Sequence, residues 1–484
     1  MLCGGAGAGR GHDAGVPGME WQRAVVAPTE EWAQQTFGRC RFGDWRLTKR
    51  VVGLAAAMAA CPAGSLPQQL PDWGALKAAY RFLEHPVVTA AGILQPHREH
   101  TRQRAAEQPI MLLVQDTTML DFSRHQQTSG LGPIGDGGGR GLYLHTLLAV
   151  EPVDGVPLGV LAAESWVRRA ASAGETRAER RHRPRESQRW GRLVQTVGAP
   201  PLETVWVHVA DREADCFDFL AAVVAVGADV LVRIAQDRRV QTVEGRLERL
   251  FATLADHPVQ DQQAVALPPR ARVGERVAQL AISWTPVQVL PPQAPPPELA
   301  GHPPIAAWAI RVWEPDPPPG QDPIVWQLLT TVPVATAAAA WERVRWYTRR
   351  WVIEEFHQAL KTGCAIEASQ LRDGAKLQRQ VALLLPLAVR LLQLRSLARI
   401  HPDTAATQLL PNAVLAVVAQ QTRSEIATTA GEVFLQIARL GGWLARRSDG
   451  PPGWRTLWRG WFRVQAWQEG ISFRQLDADG GTYG

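Results

Sequence analysis

Two short apolar segments, each closed by an aspartate, most constrain how this chain can fold. In PIMLLVQD the apolar run is Ile110–Val114 and the segment ends at Asp116; in TVWVHVAD the corresponding acid is Asp211. Continuous apolar runs of this length are typical of strands buried on both faces, as in parallel sheets covered by helices. The sequence therefore predicts an α/β fold in which both strands stop at an aspartate, where such folds bind ligands.

The segments around these two strands complete the α/β order. LYLHTLLAVEP and GVLAAESWV are predicted strands, a helix over 186–197 precedes the second acidic strand, and a helix over 213–226 and the strand DVLVRIA follow it. Residues 240–330 break the order, because short β-like runs alternate there with proline-rich stretches such as VLPPQAPPPELAGHPP. This composition indicates an antiparallel β insertion with a long exposed loop.

The predicted domains follow from these changes of pattern. In chain order they are a disordered N-terminal extension (1–27), a helical domain (28–105), the first part of an α/β core (106–239), the β insertion (240–330), a helical part of the core (331–398) and a helical C-terminal domain (399–484). The chain has 484 residues, 46% of them apolar, which is enough for two or three structural units. No run of about 18 uncharged apolar residues is present, which predicts a soluble cytoplasmic protein without a membrane span.

Positive charge is concentrated in two places. Nine arginines and three glutamates lie between Arg168 and Arg192, and RCRFGDWRLTKR (Arg39–Arg50) holds five cations and one aspartate, although the net charge is only +6. A local excess of this kind suits a polyanion such as nucleic acid, and solvated helix faces explain either cluster equally well. The five cysteines are scattered, without the spacing of a disulfide framework or a zinc site.

The stretch WYTRRWVIEEFHQALKTGC is predicted to be an amphipathic helix with an unusual polar face. A helical wheel gathers Tyr347, Arg350, Glu354 and Lys361 on one side and the apolar residues on the other, while Glu355 falls about 100° away from Glu354. The polar face is either solvated, or stabilised by an Arg350–Glu354 pair worth about 0.3–0.5 kcal/mol, or a binding surface for phosphate and base.

Three carboxylates brought together from two strand ends and this helix would repel one another. Divalent cations relieve that repulsion, and ligands that are all oxygen favour Mg²⁺ or Mn²⁺. Two such ions catalyse in-line attack at a phosphodiester. Asp116, Asp211 and Glu354 therefore predict nuclease-like or strand-transfer chemistry.

The spacing Tyr347-x₂-Arg350-x₃-Glu354-x₆-Lys361 resembles the YREK signature of the DDE transposases of insertion-sequence family four, the group of the transposon-five transposase. QDTT and DREAD are similar to the family's first and second aspartate motifs, and YRFLEHP, VRLLQLR and IARLGGW to blocks elsewhere in it. The resemblance extends from about residue 31 to residue 470 and implies an RNase H-like catalytic core with the β insertion, flanked by a helical DNA-binding domain and a helical dimerisation domain.

The resemblance also assigns roles to individual residues. Asp116, Asp211 and Glu354 would be catalytic ligands of two Mg²⁺ ions, for which Mn²⁺ can substitute. Tyr347, Arg350 and Lys361 would grip the backbone of the non-transferred strand. The other implied DNA contacts are Trp326, on which an extruded thymine stacks, Arg233 near the active site, and Arg46, Arg50, Arg81 and the neighbouring Lys49 in the N-terminal domain.

The implied activity is cut-and-paste transposition through a DNA hairpin, in the cytoplasm of a bacterium and on the nucleoid when bound to DNA. The partners would be double-stranded transposon ends, target DNA and a second copy of the chain in the synaptic complex, with no membrane. Trp454, Trp458 and Trp461 fit either core packing or the dimer interface. Two alternatives remain open: an RNase H-type nuclease without strand transfer, and a domesticated DNA-binding protein.

Overall fold

The computed structural model describes residues 25–168, 186–267, 276–400, 402–446 and 449–479. The predicted N-terminal extension lies outside the described residues except for its last three, whose side chains are buried. Most of the arginine-rich run, 169–185, also lies outside them. The chain divides into a larger unit, Ala33–Leu392, and a smaller unit formed by the described residues on either side of it.

Helices precede the sheet along the chain. They are α1 (Thr29–Phe37), α2 (Trp45–Ala60), α3 (Leu66–Gln69), α4 (Trp73–Glu84) and α5 (Ala90–Ala106). Helices α2, α4 and α5 begin at side-chain caps, because Asp44, Asp72 and Thr89 each accept a backbone N–H of the first turn.

Among the described residues, twelve strands form one mixed sheet. They are β1 (Ile110–Asp121), β2 (Gly132–Ile134), β3 (Gly139–Val150), β4 (Pro157–Trp166), β5 (Val205–Ala210), β6 (Asp229–Arg233), β7 (Arg239–Gln241), β8 (Leu247–Arg249), β9 (Asp261–Leu267), β10 (Arg276–Val289), β11 (Ile305–Trp313) and β12 (Val325–Thr330). The order is β2-β3-β1-β5-β6-β12-β11-β10-β7-β8, with β4 beside β3 and β9 beside β10. Strands β1, β5 and β6 are parallel, and the other pairings are antiparallel. The predicted α/β class is confirmed at this level.

Strand β1 is longer than the sequence predicts. The apolar pattern predicts an end at Asp116, but the strand continues to Asp121, because its backbone pairs with β3 along its whole length. Asp116 therefore lies inside the strand, opposite Thr146. Strand β5 ends at Ala210, so that Asp211 follows a strand end as predicted.

Helices α6 (Gln188–Val197) and α7 (Phe217–Ala225) cover one face of the parallel strands. Their apolar sides form the main core with the inward side chains of β1, β3 and β5. The largest members of this core are Trp190, Trp206 and Phe219. A rigid, dry layer therefore lies directly behind the acidic strands.

The β insertion extends the sheet of the core. The four β-like runs of the sequence correspond to β9, β10, β11 and β12, and β12 pairs antiparallel with β6 of the core. The proline-rich stretch connects β10 to β11. A short helix, α8 (Leu250–Ala255), lies within the insertion and was missed by the sequence pattern.

Helices return after the insertion: α9 (Ala337–Thr348), α10 (Trp351–Gln358) and α11 (Gly374–Ile400), with a π-helical turn at Ala359–Gly363. On β3, His145 contacts Trp190 of α6, and the next residue, Thr146, bonds His357 of α10. Successive residues of a strand point to opposite faces, so α10 covers the face opposite α6. Among the described helices, Gly374–Leu397 is long and apolar enough to span a membrane by length and composition alone, but its apolar window is completely buried in the protein.

The smaller unit contains α12 (Asn412–Thr422), α13 (Ala430–Leu440) and α14 (Trp454–Asp479). Trp454, Trp458 and Trp461 of α14 are all buried, which favours core packing over exposure at a dimer interface. Helices α13 and α14 approach very closely at Gly460, because a Cβ atom there would lie 1.7 Å from the backbone oxygen of Ile437.

Candidate active site

Asp116 and Asp211 project from adjacent parallel strands at the same level. Val114 of β1 is the register partner of Val209 of β5, and each aspartate lies two residues further along the chain. Parallel register partners share a face and side chains alternate, so both carboxylates point to the side of the sheet covered by α10. Asp211 also accepts the backbone N–H of Glu213 at 2.9 Å, which fixes its orientation.

The carboxyl group of Asp116 is poorly solvated. Burial and the negative charge of Asp211 raise its pKa from 3.8 to about 7, while the backbone N–H of Thr117 and the guanidinium of Arg350 act in the opposite direction. Burial and Asp211 also raise the pKa of Glu213. The Thr117 N–H and the Arg350 guanidinium therefore compensate only part of the negative charge of the two aspartates.

The helix that carries Glu354 is not the continuous helix that the sequence predicts. Helix α9 ends at Thr348, and the backbone passes Arg349 and Arg350 through i→i+3 hydrogen bonds before α10 begins. At this irregular turn the guanidinium of Arg349 donates to the carbonyl oxygens of Pro152 and Val153.

Arg350 lies between two of the predicted metal ligands. Its guanidinium is 2.5 Å from a carboxylate oxygen of Glu354 and 3.5 Å from one of Asp116. The side chain of Arg350 is only 9% exposed, whereas that of Glu354 is 43% exposed. The i,i+4 pair is therefore present and joins a buried arginine to a partly exposed glutamate, which excludes a fully solvated polar face.

Tyr347, Trp326 and Arg233 gather beside the acids. The ring of Tyr347 is buried and lies edge-on to Trp326 of β12, with ring centroids 5.4 Å apart. Burial lowers the pKa of Arg233, which feels the charges of Arg212 and Asp211 as well as the phenol of Tyr347. Because β12 pairs with β6, the pairing brings Trp326 of the insertion close to Arg233 of the core.

Lys361 lies at the far end of β1. It is in the π-helical turn, 3.9 Å from Glu367, and its positive charge helps to lower the pKa of Asp121, after the dominant hydrogen bonds from Ser123. With Arg124 and Arg372 it lines an open cavity of about 880 Å³. The fourth signature residue thus borders a concavity lined by three cations and two acids, Asp121 and Glu367, separate from the contacts made by Arg350.

The predicted N-terminal DNA contacts lie on exposed surface. Arg46, Lys49 and Arg50 are on the exposed side of α2, and Arg81 is exposed on α4. The structure brings the first three together on one helix face, consistent with a surface for a polyanion.

The acids suit a divalent cation, although they do not form a closed cage. In the part of the chain that the structure describes, no three His, Cys, Asp or Glu side chains are already placed to hold a metal ion together. Arg350 explains this arrangement, since it holds Glu354 by a direct ion pair. The donors are carboxylate oxygens only, and the two aspartates repel each other, so the chemistry of the set fits Mg²⁺ or Mn²⁺.

Asp215, the second aspartate of DREAD, has a structural role that the sequence did not separate from that of Asp211. Its side chain is fully buried and accepts the backbone N–H groups of Ala235 and Gln236 at 2.6 and 2.8 Å, and it pairs with Arg238. These bonds join the segment after β5 to the segment that follows β6. Arg233 is the last residue of β6.

We expect Asp215→Asn to lower the free energy of unfolding by about 3–5 kcal/mol, because it leaves the buried guanidinium of Arg238 uncompensated. Chemical denaturation monitored by tryptophan fluorescence would measure the change. Asp218→Asn, three residues on and half-buried, is the matched control. Equal stabilities of the two variants would contradict the assigned anchor role.

Two family models match the sequence. Residues 29–88 match a transposase DNA-binding domain, and residues 167–390 match a transposase DDE domain. Both matches support a DDE transposase. The first contains the four exposed N-terminal cations, and the second contains Asp211 and Glu354 but begins after Asp116. Assignment to insertion-sequence family four stays a prediction.

The chain is also similar to a solved structure, a cryo-EM structure of a piggyBac transposase synaptic complex with hairpin DNA. The identity is 8%, and the alignment covers 93% of this chain and 79% of that one, with a TM-score of 0.32. At this TM-score the likeness carries no argument about fold or mechanism.

Proposed function

We propose that this chain is a cut-and-paste DNA transposase of the YREK group, with an RNase H-like core. The observation that supports the proposal is that Asp116 and Asp211 lie at one level of adjacent strands, and that Arg350 is within ion-pair distance of both Asp116 and Glu354. Acids at one level of a parallel sheet, joined by a third from a helix, suit phosphodiester chemistry. The match to a DDE domain supports the same chemistry.

The three acids are the proposed ligands of two Mg²⁺ ions, replaceable by Mn²⁺. These carboxylates would hold the ions, which would supply activation of water or a DNA 3′-hydroxyl and stabilisation of the leaving oxygen. The residues of the chain supply the negative charge that attracts the ions and a poorly hydrated setting in which that attraction is strong. Arg350 keeps Glu354 beside Asp116.

The remaining signature residues are proposed to hold the DNA end. Trp326, whose ring packs against the buried ring of Tyr347, is proposed to offer aromatic surface for an unstacked base, and Arg233 is proposed to contact its phosphate. Lys361, with Arg124 and Arg372, lines a cavity in which cations outnumber the acids Asp121 and Glu367, and these three cations are proposed to contact the sugar–phosphate backbone. Helices α2 and α4 would bind the transposon end through Arg46, Lys49, Arg50 and Arg81.

The proposed partners are double-stranded inverted-repeat ends, target DNA and a second copy of the chain in the synaptic complex. The smaller helical unit is the proposed dimerisation domain. DNA as substrate supports an intracellular protein, and the proposed setting is the bacterial cytoplasm.

The test is incubation of the protein with the DNA that immediately flanks its reading frame, in Mg²⁺ or Mn²⁺. We expect a nick that exposes a 3′-hydroxyl, a hairpin, a double-strand break and joining of the freed end to a plasmid. Cleavage without joined product would favour the nuclease alternative. End binding without cleavage in either ion would favour the DNA-binding alternative and overturn the proposal.

We expect Trp326→Ala to leave the first nick intact but to slow hairpin formation by about 5- to 150-fold, since stacking of one base on an aromatic side chain is worth about 1–3 kcal/mol. Sequencing gels of reactions on end DNA would separate the two steps. Trp313→Ala, on the neighbouring strand β11, controls for the loss of a tryptophan from the insertion. Equal hairpin rates in the two variants would contradict the stacking role.

A further inference from the structure

Two buried hydrogen bonds between side chains involve the elements around the three acids: one joins α10 to β3, the neighbour of β1, and the other joins β1 to β5. Thr146 Oγ1 and His357 Nε2 are 2.8 Å apart and connect β3 to α10. Gln115 Nε2 and His208 Nδ1 are also 2.8 Å apart and connect β1 to β5. These four residues are not among the acids or the DNA contacts, and the signature motif does not include them.

The first bond lies next to Asp116 and Glu354. Thr146 is the register partner of Asp116, so the two side chains are neighbours on the face covered by α10. His357 comes three residues after Glu354, a spacing that places both side chains on one side of the helix. The bond therefore connects Thr146, the neighbour of Asp116, to His357, which lies on the same side of the helix as Glu354.

Apolar packing alone would fix the position of α10 on the sheet less precisely than packing together with this hydrogen bond. The helix also docks through Val352, Ile353 and Phe356, which are buried. Such contacts are not directional, and they allow a helix to rotate or slide slightly without loss of buried area. The hydrogen bond between Thr146 and His357 restricts both movements, because its distance and angle are restricted.

The second bond belongs to a chain of polar groups behind the aspartates. Gln115 precedes Asp116 and points to the opposite face, where its side-chain oxygen accepts from His145 Nε2 at 3.2 Å and its amide nitrogen donates to His208 Nδ1. His145 Nδ1 in turn accepts from Thr117 Oγ1 at 2.7 Å. Gln115, His145 and His208 are completely buried, so each has few alternative partners.

The direction of this chain is fixed by its chemistry. A neutral imidazole has one donor and one acceptor nitrogen, and an amide has a donor end and an acceptor end. Burial lowers the pKa of both histidines to about 3, which keeps them neutral at ordinary pH. The register of β1 relative to β5 is therefore fixed by the Gln115–His208 hydrogen bond as well as by the backbone hydrogen bonds between the strands.

We propose that the Thr146–His357 and Gln115–His208 bonds position the three acids for divalent metal binding, the first setting Glu354 against Asp116 and the second setting Asp116 against Asp211. Thr146, His357, Gln115 and His208 are positioning residues and not ligands. The inference rests on the proposed function, because it assumes that the acids bind a metal. Metal sites need ligands held within about 0.5 Å of their working positions, which is the precision that directional bonds provide.

The primary test compares Thr146→Val with Thr146→Ser in the full-length protein. Valine keeps the shape of threonine but cannot donate, and serine keeps the hydroxyl. We expect Thr146→Val to weaken Mn²⁺ binding, measured by isothermal titration calorimetry, and to slow single-turnover cleavage, each by about 10-fold or more. Affinity for end DNA should not change, and Thr146→Ser should stay close to the wild type.

Thr285→Val is the matched control, since Thr285 is a buried threonine in β10 of the insertion, remote in the sheet from the acids. It should leave Mn²⁺ affinity unchanged. Wild-type Mn²⁺ affinity in Thr146→Val would overturn the inference. Equal losses in Thr146→Val and Thr146→Ser would also overturn it, because the cause would then be packing of the methyl group.

A double-mutant cycle tests the bond itself. His357→Met removes the imidazole partner of Thr146, and the loss of Mn²⁺ affinity in Thr146→Val/His357→Met should match that of the single variants, whereas additive losses would contradict a shared bond. Gln115→Met tests the second bond by the same measurement, with a weakened affinity expected and an unchanged one contradicting its role. The comparison measures only Mn²⁺ binding, so its result does not depend on whether the wild-type protein cuts DNA. A wild-type protein that does not cut DNA would count against the proposed function instead.

Discussion

Replacing Glu354 by glutamine is expected to abolish metal-dependent cleavage of end DNA while sparing its binding. Glutamine keeps an oxygen that can accept from the buried guanidinium of Arg350, so the ion pair becomes a hydrogen bond and the fold is retained. It removes one negative charge from the set of Asp116, Asp211 and Glu354, on which the proposed metal site depends. A loss of about a thousandfold corresponds to about 4 kcal/mol of transition-state stabilisation.

Glu355→Gln is the matched control, because it removes the same charge from the next residue of α10. Helical geometry turns Glu355 about 100° away from Glu354. Cleavage and end binding by both variants would be followed on the same labelled DNA, by gel and by fluorescence anisotropy. Loss of cleavage in Glu355→Gln with activity retained in Glu354→Gln would show that the helical phase, and with it the proposed ligand set, is wrong.

The sequence predicts the parts of the site that depend on local pattern. The apolar runs before Asp116 and Asp211 identified two strands, and the structure pairs them in parallel as β1 and β5. The β-like runs of the insertion likewise became β9 to β12. These elements were predictable because the burial of a strand is recorded in its own residues.

The differences arise from contacts between residues far apart in the chain. Strand β1 continues past Asp116 because β3 pairs with it, and the irregular turn between α9 and α10 includes Arg349, whose guanidinium bonds carbonyl groups nearly 200 residues earlier. The buried position of Arg350 between two acids depends on the same long-range packing. A helical wheel contains none of this information.

Residue type also fails to separate function from structure within one motif. Asp211 and Asp215 both belong to DREAD, yet the first lies beside Asp116 and the second is a buried anchor for Arg238. The buried histidines carry no sequence signal at all, since His145 and His208 each lie within an apolar strand. Their partners are side chains on other strands, which only the fold brings into contact.

The buried histidines make the folded protein sensitive to acid. Burial lowers the pKa values of His145, His208 and His357 from 6.5 to about 3. Above pH 6.5 these rings are neutral in both the folded and the unfolded chain, so their contribution to stability is fully present. As the pH falls from 6.5 towards 3, only the unfolded chain takes up protons, and the contribution is lost. Linkage predicts a loss of about 2 kcal/mol per histidine at pH 5.

We therefore expect the free energy of unfolding to fall steeply between pH 7.5 and pH 5, and His208→Asn to weaken that dependence by about 2 kcal/mol over the same interval. Asparagine can offer an oxygen where the Nδ1 atom of His208 accepts from Gln115, and it does not titrate. Urea denaturation at a series of pH values measures the difference directly, and carboxylates that also titrate cancel in the comparison. His100→Asn, at an exposed position, is the control. A pH dependence of His208→Asn equal to that of the wild type would mean that His208 does not remain neutral in the folded protein.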